Sequence, residues 1–346
     1  MSSKRSASIF RDFLSVAPES TASRSRLIFW ISVLLAALFL YLALRGLDWQ
    51  VFILTFRNAD YIYLPLMFLW GSFSYLIRAL RWRILLIAEK QIPLSNVFWA
   101  NMAGYLGNNI LPARAGEFIR AAYLSKRNDI SISFVFATGL VERLVDVIAL
   151  IILGSVSLSL TNLLFGPMQT ALKAMSTVSI FGLLAIILLP YFGTRISKLI
   201  AALSWLDAPT KSKLTGFLDQ FLRGLEALHQ IQRIVGFILL TALIWTMDAV
   251  GTVFLSRILH LSISLNQAFV LLAGLGLSSA IPSTPGYVGI YQFVAVVILE
   301  PFGIPRTDAL AFILFSQIMN LLALMAWGIV ALLKNPLRNR PDSGHL

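Results

Sequence analysis

The chain has 346 residues and a formal net charge of +12; 58% of its residues are hydrophobic and only 13% are charged. Soluble domains carry about 25% charged residues, so this composition excludes an ordinary soluble enzyme and describes an integral membrane protein. The absence of cysteine excludes a disulfide framework, a haem-attachment motif and a thiolate metal site, and His229, His260 and His345 are too scattered to form a ligand cluster.

Residues 1–26 are rich in Ser and Arg and are expected to form a disordered cytoplasmic N-terminus. No cleavable signal peptide is expected, because the first apolar run, Leu27 to Leu44, is long enough to remain as a span. Apolar runs of a length that can cross a bilayer lie at 27–46, 61–80, 131–160, 175–193, 234–256 and 307–333. Two further apolar stretches, 95–127 and 265–300, are split near the middle by Pro and Gly. Each is either a re-entrant hairpin or a pair of short helices, and either way the chain returns to the side it left. Between 194 and 233 the residues Leu214, Phe217, Leu218, Phe221, Leu222, Leu225 and Leu228 recur at helical spacing among polar ones. This predicts an amphipathic helix at about 196–232, lying on the inner leaflet or docked on the bundle. Residues 334–346 read as a cytoplasmic tail.

Lys and Arg set the orientation. With the N-terminus inside, Arg45, Arg57, Lys173, Arg257 and Arg306 fall outside and Arg143 falls within a span. The rest of the 28 basic residues lie on the cytoplasmic side. Both termini are therefore expected in the cytoplasm, and the positive charge is expected to meet anionic lipid rather than nucleic acid.

Sliding the chain by 170 residues superposes the two broken stretches. Asn96 falls on Asn266, Ala103 on Ala273, Gly104 on Gly274, Pro112 on Pro282 and Gly116 on Gly286. The same shift lays 61–80 on 231–250 and 131–160 on 301–330. The two halves, about 61–160 and 231–330, run in opposite senses across the membrane. The predicted fold is thus all-α and polytopic: six full spans plus two hairpins in an inverted repeat. Matched Gly/Pro-interrupted segments of this kind point to a midplane substrate site; the bland alternative is a pair of packing kinks.

The first hairpin carries Asn108, Asn109, Pro112, Arg114, Gly116, Glu117 and Arg120. Polar and ionised groups at membrane depth cost about 2.5–3.5 kcal/mol each on insertion scales and usually serve a function. Arg114 and Arg120 are candidate phosphate ligands, since a guanidinium grips phosphate through two donors and a helix start after Pro112 adds backbone N–H groups. The alternative is a structural ion pair with Glu117. Glu142, Arg143 and Asp146 form a second cluster early in the next span, expected to partner Arg114 and Arg120. In the second hairpin Ser278, Ser279, Ser283, Thr284, Tyr291 and Gln292 supply uncharged polar groups around the breakers Pro282, Pro285, Gly286 and Gly289. Asp248, Gln317 and Asn320 read as lone interhelical hydrogen-bonding residues. Arg78, Arg81 and Arg83, with Trp82, read as an interfacial anchor.

Three segments, Asn109 to Glu117, Val141 to Asp146 and Pro282 to Gly289, resemble the flippase-like family that includes the transmembrane region of lysylphosphatidylglycerol synthase. The resemblance covers roughly residues 25–335. It implies a polytopic fold that translocates or binds a lipid with a polar head group. The chain ends at Leu346 without a soluble aminoacyltransferase domain, so lysyl transfer is not expected. The resulting expectation is a non-enzymatic lipid flippase or transporter of the bacterial inner membrane. Its ligand would be a phospholipid or polyprenyl-linked lipid, and it would need no cofactor or metal. A glycosyltransferase or aminoacyltransferase partner and homo-oligomers fit the same picture. The alternative is a non-transporting accessory protein of lipid-linked glycan or phospholipid-modification pathways.

Overall fold

The computed structural model describes residues 34–111, 115–161, 166–203, 205–226, 228, 230–279 and 285–334. Among these residues every regular element is helical. Helix α1 (Leu34–Leu44) and α2 (Trp49–Arg57) form a bent pair, turned by 90°. The carboxylate of Asp48 fixes the corner by accepting from the N–H groups of Gln50 and Val51, at 2.9 and 3.1 Å. The corner thus closes the first apolar run, whose described part from Leu34 to Leu44 is a single helix.

A short turn, Tyr61–Tyr63, leads into α3 (Leu64–Leu86), with a proline in its first turn. Helices α4 (Leu94–Ile110) and α5 (Gly116–Asn128) follow, then α6 (Ile132–Ser159), α7 (Gly166–Ala202) and α8 (Ala208–Glu226). The second half comprises α9 (Ile231–Ile258), α10 (Leu265–Ser278), a turn at Pro285–Tyr287, α11 (Ile290–Leu299) and α12 (Arg306–Lys334). Among the described residues three stretches, Tyr61–Leu86, Ile231–Ile258 and Arg306–Leu333, are long and apolar enough to span a membrane. The bent α1–α2 pair reaches that length and apolarity only when its two helices are taken together. The other expected crossings fall on α6, whose 28 residues include Glu142, Arg143 and Asp146, and on the 37-residue α7. Leu66, Leu69 and Phe73 on α3, and Ile238, Leu239 and Leu243 on α9, are exposed, as lipid-facing surfaces require.

The broken stretches are hairpins. Their helices have 17, 13, 14 and 10 residues, or about 25, 20, 21 and 15 Å at 1.5 Å per residue. None reaches the roughly 30 Å of a hydrocarbon core. At the open end of the first hairpin the Asn96 amide donates to the Asn128 amide oxygen at 2.9 Å. At its closed end α4 and α5 touch backbone to backbone. A Cβ on Gly116 would sit 2.0 Å from the Gly104 carbonyl oxygen and 2.5 Å from the Asn108 nitrogen; only glycine fits there.

In the second hairpin Gly289, with φ +88°, caps the start of α11. A side chain there would be strained by that backbone and would also meet the Ala36 carbonyl oxygen at 2.2 Å. The Gln292 side chain accepts from the Gly289 N–H at 2.6 Å and donates to Gln317. Gln317 donates in turn to the Gly286 carbonyl at 2.9 Å. The turn is thereby tied to α12.

Packing follows one scheme twice. In the first set α3 packs on α4, α4 on α5 and α5 on α6; in the second, α9 packs on α10, α10 on α11 and α11 on α12. Between sets, α6 lies against α10 and α12 against α4, while α3 crosses α9. The Pro285–Tyr287 turn rests on α4. One apolar core gathers around Trp82, Ile92, Met102, Ile119 and Phe134, and another around Ile263, Leu271, Leu299 and Phe312. A small third one, Ile77 with Ile244 and Met247, fills the α3–α9 crossing. Helix α8 takes up the middle of the predicted amphipathic stretch, whose first residues, 196–202, instead finish α7, and it is docked on the bundle. Phe217 leans on Phe136 of α6, with ring centroids 6.3 Å apart, and Phe221 and Leu225 join the first core.

Candidate functional site

Glu142 and Asp146 stand one helical turn apart on α6 and share a face. Arg81 of α3 faces them both. One of its terminal nitrogens donates to Glu142 Oε1 and Asp146 Oδ2, each at 2.9 Å. The other donates to Asp146 Oδ1 and, at 3.2 Å, to the Thr241 hydroxyl of α9. Arg120 of α5 approaches from the opposite side. It donates to Glu142 Oε2 at 2.8 Å and to Asn101 Oδ1 at 3.2 Å, and its guanidinium lies 3.9 Å over the Trp82 ring.

The network continues outward in two directions. Towards the first hairpin's tip, Arg143 donates to Glu117 Oε1 at 2.9 and 3.2 Å, and Asn108 donates to the same oxygen at 3.3 Å. Towards α9, Arg78 donates to Asp248, which also accepts from Ser74 at 3.0 Å. The guanidinium of Arg78 covers the Trp245 ring at 5.3 Å, and Trp245 donates to Asp146 at 3.2 Å. Among the described residues, four guanidinium groups thus meet four carboxylates on α3, α5, α6 and α9. Each ion alone would be expensive at membrane depth. Mutual pairing with supporting hydrogen bonds is what makes the set tolerable.

Exposure is graded. The side chains of Arg81, Glu142 and Arg120 are at most 2% exposed. Glu117 and Arg143 keep 17% and 29%, and Arg78 and Asp248 keep 12% and 24%. The centre is sealed and two rims remain open. Tyr105 lies between them: Arg143 is 5.9 Å from its ring and the Tyr75 ring is 6.0 Å away. Tyr75 donates to Asn320 at 2.8 Å. The Nε of Arg81 and the Nδ2 of Asn101 are buried without a hydrogen-bond partner among the described residues. Chemically, the rims offer guanidinium forks suited to phosphate or carboxylate and carboxylates suited to a cation.

Of the residues singled out from sequence, Asn108, Glu117, Arg120, Glu142, Arg143 and Asp146 are brought together here. Asn109 donates instead to its own helix, at the Tyr105 carbonyl, 3.0 Å away. Ser278 and Ser279 likewise donate to the Leu275 and Gly276 carbonyls of α10. Tyr291 stacks on Tyr287 with ring centroids 4.6 Å apart, and Gln292 ties down its own turn. Pro112, Arg114, Pro282, Ser283 and Thr284 lie outside the described residues, as does the side chain of Pro285.

The interfacial-anchor expectation needs correction. Arg81 and Trp82 are fully buried, and the Trp82 ring N–H donates to the Thr138 hydroxyl at 3.1 Å. Arg81 is the partner of Glu142 and Asp146 that sequence reading missed. Its signal was helical spacing: Ser74, Ile77, Arg81 and Leu85 share one face of α3 and all four are buried. Asp248 is likewise an ion-pair member rather than a lone polar residue.

Residues 29–328 match the family model described as the lysylphosphatidylglycerol synthase TM region, and the chain belongs to that family. Two curated relatives, both named UPF0104 membrane proteins, come from Methanocaldococcus jannaschii. One is 25% identical over 321 residues, covering 87% of this chain and 94% of the relative. The other is 26% identical over 225 residues, covering 64% and 91%. Glycosyltransferase AglD of Haloferax volcanii is 25% identical over 272 residues, which is 69% of this chain and 43% of that protein. No solved structure matches the chain.

Proposed function

We propose that this member of the lysylphosphatidylglycerol synthase TM-region family is a lipid transporter that takes a phosphate-bearing head group between its two hairpins. The observation that carries the reading is the graded ion network: a sealed centre with open rims at Arg143–Glu117 and Arg78–Asp248. A purely structural set of ions would gain nothing from leaving its ends accessible. In this reading Arg143 and Arg78 receive the phosphate oxygens. Arg81, Glu142, Arg120 and Asp146 form the rigid support behind them. Arg114, between α4 and α5 in the chain, is a further phosphate ligand in this reading.

The transport mechanism rests on an inverted repeat with both termini in the cytoplasm. The repeated packing scheme supports it: exchanging the two helix sets leaves every pairing in place, including the cross-pairs α6–α10 and α4–α12. Rocking of one set against the other would open the site to each leaflet in turn.

A second reading has one observation in its favour, the resemblance to a protein named a glycosyltransferase. In that reading the chain serves such an enzyme in the membrane without moving lipid itself. Purified protein in proteoliposomes, given a fluorescent phosphatidylglycerol or a polyprenyl phosphate, decides between them. Movement by the native chain, slowed about ten-fold in Arg143→Gln and Arg114→Gln, supports the transporter. An unchanged rate in both variants removes the phosphate site, and no movement at all favours the second reading.

A further inference from the structure

The sequence shift of 170 residues that superposes the halves also pairs Ile77 with Met247 and Arg78 with Asp248. In the structure these counterparts meet. Arg78 donates to Asp248, 170 positions away, and Ile77 and Met247 belong to one buried cluster. Elsewhere on the same two helices counterparts are apart. Trp70 and its counterpart Leu240 both border the small third core, but the contacts of Trp70 lie further along α9, where it donates to the Met247 carbonyl and lies edge-on to Phe254. Ile84 sits against Gly236, 3.7 Å from where a Cβ would stand, at the other end of α9 from its own counterpart Phe254. Helices α3 and α9 are therefore antiparallel, and counterparts touch only at their crossing.

That pattern has one geometric meaning. A two-fold rotation moves every point except those on its axis, so only residues at the axis touch their own counterparts. We infer that the turn holding Arg78 and Asp248 lies on the axis relating the two halves, and that this ion pair is the pivot of transport. The inference rests on the inverted-repeat transport reading above. When the halves exchange conformations, an axial contact maps onto itself and is the same in both end states. The seams α6–α10 and α4–α12 map onto each other, so one must loosen as the other tightens. Each seam holds a glycine against a leucine: Gly276 against Leu150, and Gly328 against Leu106. Neither seam contact contains an ion that would resist separation. The axis does, with the Arg78 guanidinium clamped between Asp248 and the Trp245 ring.

The chain has no cysteine, so engineered pairs can be read alone. Ile77→Cys/Met247→Cys spans the axis and leaves the ions intact; Leu106→Cys/Gly328→Cys spans a seam. The expected result is that oxidation of the axial pair leaves most of the fluorescent-lipid movement of its reduced form. Oxidation of the seam pair should slow movement about ten-fold or more, reversibly. Loss of movement on axial cross-linking, or none on seam cross-linking, overturns the pivot. The transport reading survives that outcome, because the reduced proteins still move lipid. Spin labels give a readout that needs no transport. Phe73→Cys/Leu243→Cys, two exposed counterparts beside the axis, should show one distance population. Ile152→Cys/Leu265→Cys, exposed positions on α6 and α10, should show two. Two populations at the axis or one at the seam overturns the pivot even if no lipid moves, and absence of movement in the unmodified chain separately removes the transport reading.

Discussion

Arg120 and Glu142 meet at 2.8 Å inside the bundle, with 2% and 1% of their side chains exposed. Glu142 is shared, because its other oxygen accepts from Arg81 at 2.9 Å. Glu142→Gln keeps the shape and leaves two buried guanidinium groups without their common counter-charge. Breaking a buried pair from one side costs about 3–5 kcal/mol, so thermal unfolding in detergent should show a large drop in midpoint. Arg223→Ala, which removes the exposed Arg223–Glu89 contact at 3.8 Å, should lose no more than about 1 kcal/mol.

Arg143 differs from Arg120 in being 29% exposed. Arg143→Gln is expected to lower stability modestly, since Glu117 keeps Asn108 and Arg120 as neighbours. Its main effect should fall on the ligand, as weaker retention of co-purified lipid seen by native mass spectrometry. Full retention of lipid with a collapsed midpoint would mark Arg143 as structural only.

Gly139 makes room for a guanidinium. A Cβ there would lie 2.8 Å from Arg120 Nη2. Gly139→Ala should destabilise by about 1–3 kcal/mol, the usual range for overpacking a filled core. Gly216 in α8 meets nothing within 4 Å, so Gly216→Ala should instead gain about 0.5–1 kcal/mol of helix propensity. Opposite signs in the same unfolding assay check both environments.

Gln317 holds the second hairpin by donating to Gly286 and accepting from Gln292. Gln317→Leu leaves a carbonyl and an amide without their partners, at a cost of about 1–3 kcal/mol. Hydrogen exchange should rise first at the start of α11, around Gly289 to Phe293, and little around Ile119. Uniform protection in the variant would show that the turn is held by packing alone.

Much of the architecture was legible in the amino-acid order because membrane spans announce themselves by length and apolarity. Spans 61–80, 234–256 and 307–333 correspond to α3, α9 and α12, and each of the two broken stretches to a pair of short helices, α4 with α5 and α10 with α11. Five of the eight members of the ion network were legible as well: carboxylates and arginines inside an apolar run need partners, and Glu117, Arg120, Glu142, Arg143 and Asp146 were all visible as such. The corner between α1 and α2 was not, because Asp48 looks like any polar residue after a span.

The sequence by itself determined that ions would lie at membrane depth, since solvation free energy depends only on which groups enter the bilayer. It could not say which groups would meet. Arg78, Arg81 and Arg83 are chemically equivalent neighbours near a helix end, and each could have reached the interface. Only the packing of α3 between α6 and α9 turned Arg81 to Glu142 and Asp146, and Arg78 to Asp248, leaving Arg83 to donate to the Ile92 carbonyl. Ion pairing falls off within a few ångströms in a way that chain position does not encode, so the choice of partners belonged to the tertiary structure.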